Sequence, residues 1–517
     1  MKIKTLIGAM MIFSLACFAA NAEENKQVAT KPEDEAMRNA ETAKILARIG
    51  ENTKKYPKIG VHLNGVRWAD VGKCVKQIKE DSLGDIVVFA AIGYGKPEKP
   101  TVEEKGRYYK SWVAACKQNG LFFYDYCQIT NIIIPREIVK IAPEYYVGSL
   151  FGEYGNSGGF HWFPKHDGQI ANMKEARAEY MGDLAKKMSK FRQACGPALI
   201  LENEGGPIGH GEGLEAGTDI MSSEHYGNIG FSLSSARGAS KAYGRPLWGA
   251  WLNVEFYAGG GYGPPRDDSY TEAHQRRLML DYNMSYIHGA DLIVLQDCLF
   301  DITIGHTHSS TNKPAYDMNS PQCRGFREKA KEFHKYVQSH PRSGQAPAVD
   351  LGLVWGNLEG APTQKQLLNI NSYTKIWWQS GWRATIEQGW KNLLNADLFA
   401  KSRYSGTPYG QVDIVPVQAP IDVLQKYKTL MFLGWNTMTP EIYAKLKEYV
   451  KNGGNLFMSL PQLSRQIERK PELELINNGD FRDLFGVTVK GRAGGSLDGA
   501  HQKAKIRFDR ESVWRPA

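Results

Sequence analysis

The chain has 517 residues, of which 42% are hydrophobic and 11% aromatic, so it can bury one large core and a smaller second one. A net charge of +9 is spread over 64 basic and 55 acidic residues without a basic block, which argues against nucleic-acid binding. After the amino-terminal segment, no stretch has the roughly 20 consecutive apolar residues that a membrane-spanning helix needs.

Residues 1–22 have the pattern of a signal peptide. Lys2 and Lys4 precede an apolar stretch, and small residues lead to an expected cleavage point after Ala22. We therefore expect a secreted or periplasmic protein. Lipoprotein anchoring through Cys17 is the less favoured alternative, because Ser14 stands where a lipoprotein box has leucine.

A polar, alanine-rich segment, residues 23–50, is expected to form a helical lead-in. Eight short apolar runs follow within residues 51–340, most of them separated by enough chain for a helix. We interpret them as the strands 58–63, 85–92, 121–126, 145–153, 198–204, 219–226, 247–255 and 291–297. Eight strands alternating with helices predict an α/β fold of the (β/α)8 or TIM-barrel type, whose active site lies where the strands end.

A Pro- and Gly-containing linker at residues 340–344 marks the end of the predicted barrel. Residues 347–485 again alternate strands with helices, and this pattern predicts a doubly wound, flavodoxin-like domain. Its expected strands are 348–355, 413–417, 429–435 and 455–460, and its expected helices are 373–395 and 440–452. Residues 486–517 read as a β-rich segment, either a small β unit or the start of a longer protein.

Polar residues follow the apolar body of most predicted barrel strands. The strand ends carry His62, Asn64, Glu153, Asn203, Glu204, Glu224, His225, Glu255 and Asp297. Because the carboxyl ends of barrel strands surround one active site, we expect these groups to lie together. So many hydrogen-bonding groups favour a substrate with many hydroxyls, and the expected partner is therefore a carbohydrate.

Glu153 and Glu255 end the fourth and seventh predicted strands. Glycoside cleavage needs one carboxylic acid to protonate the leaving oxygen and one carboxylate on the other side of the bond. We predict that Glu153 is the acid/base and Glu255 the nucleophile. Carboxyl groups about 5–5.5 Å apart would give retention of configuration, and groups about 6.5–9.5 Å apart would give inversion.

The remaining polar residues at the strand ends are candidates for binding sugar hydroxyls, the alternative for each being an ordinary structural contact. Aromatic rings near the two glutamates are suited to stacking on the apolar faces of sugars. These aromatic candidates are Trp162, Trp251 and Tyr257. Trp251 and Glu255 are four residues apart on one strand and should point the same way.

Metal and cofactor sites are not expected. His306 and His308 have a metal-ligand spacing, but no third ligand is obvious. The six cysteines after the signal peptide lack CxxC spacing, so one or two disulfides and buried free thiols remain alternatives.

The order of the two parts resembles the bacterial β-galactosidases of glycoside hydrolase family 42 and their relatives in the retaining barrel clan. The segments DIVPV (413–417), YKTLMFLGW (427–435) and YVKNGGNLFMSL (449–460) are similar to the class I amidotransferase-like trimerisation domain of that family. The resemblance implies a retaining glycoside hydrolase and a homotrimer. No cysteine follows Cys323, so the second domain lacks the nucleophile of a true amidotransferase.

One position departs from the clan. Its members have Asn directly before the acid/base Glu, whereas Gly152 precedes Glu153 here, and Asn203-Glu204 ends the fifth run instead. Either the Asn is lost, or the strand count is wrong by one and Glu204 is the proton donor. Two other functions stay open at this point: a non-catalytic carbohydrate-binding barrel and a polysaccharide lyase.

Overall fold

The computed structural model describes most of the chain between residues 32 and 490. The described ranges are 32–63, 66–90, 100–126, 134–152, 173–204, 207–225, 228–254, 268–296, 299–300, 318–358, 407, 410–467 and 473–490. The expected signal peptide, the predicted helix 373–395 and the tail after residue 490 lie outside them. The chain divides into two units, Met1–Lys44 and Ile45–Ala517. The described part of the first is helical, with Lys44 Nζ 2.6 Å from Glu41 Oε1.

Eight parallel strands close into a barrel in chain order, and the last pairs with the first. They are β1 (Lys58–Leu63), β2 (Ile86–Ala90), β3 (Phe122–Tyr126), β4 (Tyr146–Leu150), β5 (Leu199–Glu204), β6 (Ile220–Glu224), β7 (Trp248–Leu252) and β8 (Leu292–Leu295). The predicted (β/α)8 barrel is confirmed, with each strand at its expected place in the order.

A helix follows each strand, and helix α1 (Pro32–Gly50) precedes them all. The eight are α2 (Val71–Glu80), α3 (Val102–Asn119), α4 (Arg136–Val139), α5 (Met173–Cys195), α6 (Pro207–Ala216), α7 (Ile229–Ala242), α8 (Asp268–Ile287) and α9 (Pro321–Ser339). Local sequence explains their ends. Helix α3 begins with a capping box, in which Thr101 and Glu104 each accept the other's backbone N–H, and it ends at Gly120 with a positive φ of 64°.

Alternation along the strands separates two cores. On β2, Ile86 and Val88 belong to an apolar cluster to which seven of the eight strands contribute, whereas Val87 and Phe89 pack in the cluster that includes the helices. Successive side chains of a strand point to opposite faces, so the first cluster fills the barrel interior. This alternation decides which polar side chains at the strand ends can reach the lumen.

The amino-terminal end of the barrel is covered by residues 45–50, at the end of α1, and by the predicted linker. Ile49 is fully buried in the interior cluster. The guanidinium of Arg342 donates hydrogen bonds to the carbonyls of Lys54 (2.9 Å), Tyr286 (3.2 Å) and Ala290 (3.0 Å). The segment at residues 340–344 is therefore packed against the barrel.

A four-stranded parallel sheet follows, in the order β10-β9-β11-β12. Its strands are β9 (Leu351–Trp355), β10 (Val412–Pro416), β11 (Thr429–Phe432) and β12 (Asn455–Phe457), with α10 (Ile421–Leu424) and α11 (Pro440–Lys451) between them. Helix α12 (Arg482–Phe485) lies between the short antiparallel strands β13 (Asp480–Phe481) and β14 (Val487–Thr488). The parallel α/β pattern agrees with the sequence, while the flavodoxin-like and amidotransferase-like assignment of residues 347–485 stays a prediction.

Four cysteines, Cys74, Cys116, Cys195 and Cys323, are buried free thiols. Cys127 and Cys298 lie outside the described residues, so the question of a disulfide concerns those two. Within the described ranges, none of the helices is both long and apolar enough to cross a membrane.

Candidate active site

The carboxyl ends of β4 and β7 lead directly to the two predicted catalytic residues. Glu153 stands three positions after Leu150, the last residue of β4, and Glu255 stands three positions after Leu252, the last residue of β7. Both glutamates lie outside the described residues. So do four of the predicted substrate-binding residues, Asn64, Trp162, Tyr257 and Asp297.

The chain turns at Gly152, immediately before Glu153. Its φ of 101° is in the region that favours glycine, so the extended conformation of β4 ends there. An asparagine, which the clan that the sequence resembles has at this position, would be strained in this backbone. The departure from the clan pattern is thus matched by a local backbone conformation that suits glycine.

A polar network joins β3 and β4 on their helix side. Ser149 Oγ and the hydroxyl of Tyr146 both donate to Asp125 Oδ1, at 2.6 and 3.0 Å, and the backbone N–H of Ile134 donates to Oδ2 at 3.3 Å. Burial raises the pKa of Tyr146, so its hydroxyl keeps the proton that it donates. These bonds fix the end of β4 just before Glu153.

Strand β5 is the fifth strand of the closed barrel, so the strand count is not wrong by one. Leu199 and Leu201 belong to the interior cluster, and alternation turns Glu202 and Glu204 towards the helices. A Cβ added to Gly209 of α6 would lie 2.5 Å from the Oε2 of Glu204. The carboxyl group of Glu204 therefore packs on α6, and the geometry does not support its role as proton donor or sugar ligand.

Glu202, two residues earlier, is a second buried carboxyl group on the helix side of β5. Burial raises the pKa of its carboxyl group to about 8, although the hydroxyl of Thr218 donates a hydrogen bond of 2.5 Å to Oε2. Alternation from Leu201 places this carboxyl group on the helix side of β5.

Asn203 and Glu224 form a polar pair inside the barrel. Asn203 Nδ2 donates to Glu224 Oε1 at 2.9 Å, and both side chains are fully buried. Ile220 of the same strand belongs to the interior cluster, and alternation from it turns Glu224 inwards. Both residues were predicted to bind substrate, and the structure brings them together in the lumen.

The ring of His225 points the other way. Its Nδ1 lies 3.5 Å from Asp281 Oδ2, and its Nε2 lies 3.5 Å from Ser285 Oγ; both partners are on α8. The predicted substrate contact of His225 is not supported, because a residue that follows a luminal side chain on a strand must face the helices.

The rings of His62, Tyr126 and Trp251 lie close together in the lumen, near the carboxyl ends of their strands. The centroid of the Trp251 ring is 5.2 Å from that of His62 and 5.8 Å from that of Tyr126, and His62 and Tyr126 are 5.4 Å apart. The indole N–H of Trp251 donates to Gln296 Oε1 at 2.7 Å. Burial lowers the pKa of His62 to about 3, so its imidazole is neutral at neutral pH. Trp251 and His62 thus lie in the lumen, while their contact with a substrate stays a prediction.

Three luminal residues were missed by the sequence reasoning. Tyr126 and Gln296 contact Trp251 directly. Asn253 is fully buried, and neither atom of its amide has a hydrogen-bond partner among the residues that the structure describes. Asn253 could have been predicted from the sequence, because it lies midway between Trp251 and Glu255 and alternation along the strand places all three on the same side.

The described part of the site has no candidate metal centre, since no group of three or more His, Cys, Asp or Glu side chains within it is arranged to hold an ion. Its chemistry is that of a hydrogen-bonding pocket. One carboxylate, amide groups, a neutral imidazole and aromatic faces are suited to a polyhydroxylated ring.

No protein-family model matches the chain, and no curated protein sequence matches it. Two solved β-galactosidases are similar in structure. The one from the psychrophilic Marinomonas ef1 has a TM-score of 0.51 at 11% identity, over 84% of this chain and 80% of that one. The one from the Antarctic haloarchaeon Halorubrum lacusprofundi has a TM-score of 0.52 at 11% identity, over 80% and 75%. The resemblance inferred from the sequence is thereby confirmed at the level of the fold.

Proposed function

We propose that the protein is a retaining glycoside hydrolase, with Glu153 as acid/base and Glu255 as nucleophile. One observation carries the proposal: the two glutamates follow the ends of the fourth and seventh strands of a closed barrel, each at the third position after its strand. Since the carboxyl ends of all eight strands open on one face, two carboxyl groups on nearly opposite strands can flank a bound glycosidic bond.

The reaction follows from these two roles. The carboxylate of Glu255 attacks the anomeric carbon while Glu153 gives its proton to the leaving oxygen, so the glycosidic bond breaks and a glycosyl ester forms. Glu153 then removes a proton from water, and the water oxygen displaces Glu255 from the sugar. The free sugar keeps its original anomeric configuration after two inversions.

The lumen supports a sugar as the substrate. Asn203 and Glu224 offer hydrogen bonds to hydroxyl groups, and Trp251 offers an aromatic face. β-Galactosides are the first substrates to test, because the two similar structures are β-galactosidases.

A panel of aryl glycosides tests the proposal. We expect wild type to cleave at least one, and Glu255→Ala to lose turnover that added azide restores as a glycosyl azide of inverted configuration. Glu153→Ala should lose about a hundredfold or more in kcat on poor leaving groups and much less on activated ones. Glu204→Gln is the matched control, since its carboxyl group packs on α6.

Other outcomes would contradict the proposal in identifiable ways. If Glu204→Gln loses as much activity as Glu153→Ala, the acid/base assignment is wrong. Binding of glycans without cleavage would indicate a carbohydrate-binding barrel. Unsaturated products from uronate polysaccharides would indicate a lyase.

We also propose that the chain is exported and that its second domain mediates trimer formation. Both proposals come from the sequence, namely the pattern of residues 1–22 and the family resemblance of residues 413–460. Mass spectrometry of the periplasmic protein should find an amino terminus at Glu23, and light scattering should give three times the chain mass.

A further inference from the structure

Helix α7, which follows β6, is buried on all sides. Every one of its residues except Lys241 is buried. A helix at the surface of a barrel normally keeps one polar face in water. Here the second face packs on β10, so α7 lies between the barrel and the four-stranded sheet.

The packing of α7 on β10 is backbone to backbone. A Cβ added to Gly238 would lie 2.1 Å from the carbonyl oxygen of Ile414 and 2.7 Å from its carbonyl carbon. Only glycine permits this approach. The helix therefore has little freedom to slide on the sheet.

A buried charge network joins α7 to the same strand. Arg237 Nε and Lys241 Nζ each donate to a different oxygen of Asp413 at 2.6 Å, and the hydroxyl of Tyr427 donates to the second oxygen at 2.8 Å. Arg237 also donates to the carbonyl of Val412 at 2.9 Å. Burial alone would raise the pKa of Asp413, but the two cations outweigh it and keep the carboxyl group ionised.

The amino-terminal end of α7 contacts the end of β6. Ser232 Oγ donates to the backbone carbonyl of Glu224 at 3.0 Å and accepts from Ser223 Oγ at 2.8 Å. Asn228 caps the helix by accepting the N–H of Phe231 at 2.9 Å. Ser232, which contacts Glu224, and Arg237, which contacts Asp413, are thus five positions apart on one helix.

We propose that the second domain positions the luminal carboxylate Glu224 through α7, with Asp413 and Ser232 as positioning residues for the site. Glu224 on β6 lies opposite Trp251 on β7 in the register of the two strands, and β7 is the strand that leads to Glu255. A shift of α7 would therefore move a polar group of the lumen next to the nucleophile strand. The expected effect on kcat rests on the proposed function. The expected effect on the order of β6 rests on the geometry alone.

Three variants test this inference in the full-length chain. Asp413→Asn weakens the contact with the second domain, and Ser232→Ala removes the bond to the Glu224 carbonyl without touching that domain. Asp483→Asn is the control for the loss of a paired carboxyl group away from α7. The half-exposed Asp483 accepts from the hydroxyl of Tyr443 and lies 2.6 Å from Lys447 Nζ, but neither partner belongs to α7.

Two readouts are measured well below the unfolding temperature. Hydrogen exchange of residues 219–225 reports the order of β6, and kcat and KM on an aryl glycoside report the site. We expect Asp413→Asn and Ser232→Ala to speed exchange at β6 and lower kcat about tenfold. The two changes should be less than additive in kcat when combined, since they break one chain of contacts. Asp483→Asn should change neither readout.

The inference is overturned if Asp413→Asn lowers the unfolding temperature but leaves β6 exchange and kcat as in wild type. It is equally overturned if Asp483→Asn alters β6 as much as Asp413→Asn does. A wild type that cleaves no glycoside refutes the proposed function, and the exchange comparison then still decides whether the second domain positions β6.

Discussion

The substitution Gly238→Ala sets two effects of opposite sign against each other. Alanine is a better helix former than glycine by about 1 kcal/mol, so in an open helix the change stabilises. In α7 the new Cβ would lie 2.1 Å from the carbonyl oxygen of Ile414. Heavy-atom contacts are favourable only near 3.5 Å, so α7 must move away from β10 by about 1 Å or more.

The movement of α7 away from β10 costs more stability than the higher helix propensity of alanine adds. Overpacking a tight contact costs about 1–3 kcal/mol. It also lengthens the 2.6 Å bonds from Arg237 and Lys241 to the buried Asp413, whose charge depends on them. We therefore expect Gly238→Ala to lower the free energy of unfolding by about 2 kcal/mol or more.

Urea unfolding followed by circular dichroism measures the effect. Gly182→Ala in α5 is the control, because a Cβ at Gly182 would meet nothing within 4 Å. It should be neutral or stabilise by up to about 1 kcal/mol. If Gly238→Ala stabilises the protein as much as Gly182→Ala does, the close approach of α7 to β10 is wrong.

Three further predictions concern buried charges. Arg237→Met leaves Asp413 with a single cation and should cost about 3–5 kcal/mol in thermal unfolding; an unchanged melting temperature would contradict the network. Burial raises the pKa of Glu212 from 4.5 to about 7, so unfolding releases a proton and stability falls as pH rises through that window. Glu212→Gln should thus be near neutral at pH 4 and stabilising by about 3 kcal/mol at pH 8, and equal effects at both pH values would refute this. Glu224→Gln should lower kcat/KM about tenfold and Glu204→Gln less than twofold, and the reverse order in steady-state assays would contradict the assignment of lumen and helix sides.

The barrel could be predicted because each strand is a short apolar run followed by a helical stretch. The strand ends were harder to predict. The sequence predicts β4 up to Glu153 and β7 up to Glu255, whereas the paired strands end at Leu150 and Leu252. The turn at Gly152 ends β4, and its φ of 101° is a backbone angle that composition does not reveal.

The direction of the polar side chains was only partly predictable. Strict alternation assigns Asn203 and Glu224 to the lumen, and Glu204 and His225 to the helices. Treating the four as one polar cluster overlooks that difference. The same alternation would have added Asn253 to the candidates, since it shares the parity of Trp251.

The contact between the barrel and the four-stranded sheet could not be predicted from one sequence. Arg237 and Asp413 are 176 positions apart, and each is an ordinary charged residue in its local context. Only the packing of α7 on β10 makes them partners. A buried ion pair of this kind has no local pattern, because its meaning depends on the fold around it.

The proposed retaining mechanism requires a covalent bond between Glu255 and the sugar. Incubation with the activated 2-fluoro analogue of the best aryl glycoside should trap that ester, and mass spectrometry of peptides locates it. The proposal predicts one added fluorosugar on the peptide containing Glu255, and none in Glu255→Ala. A label on another carboxylate, or turnover with inverted anomeric configuration, would contradict the claim.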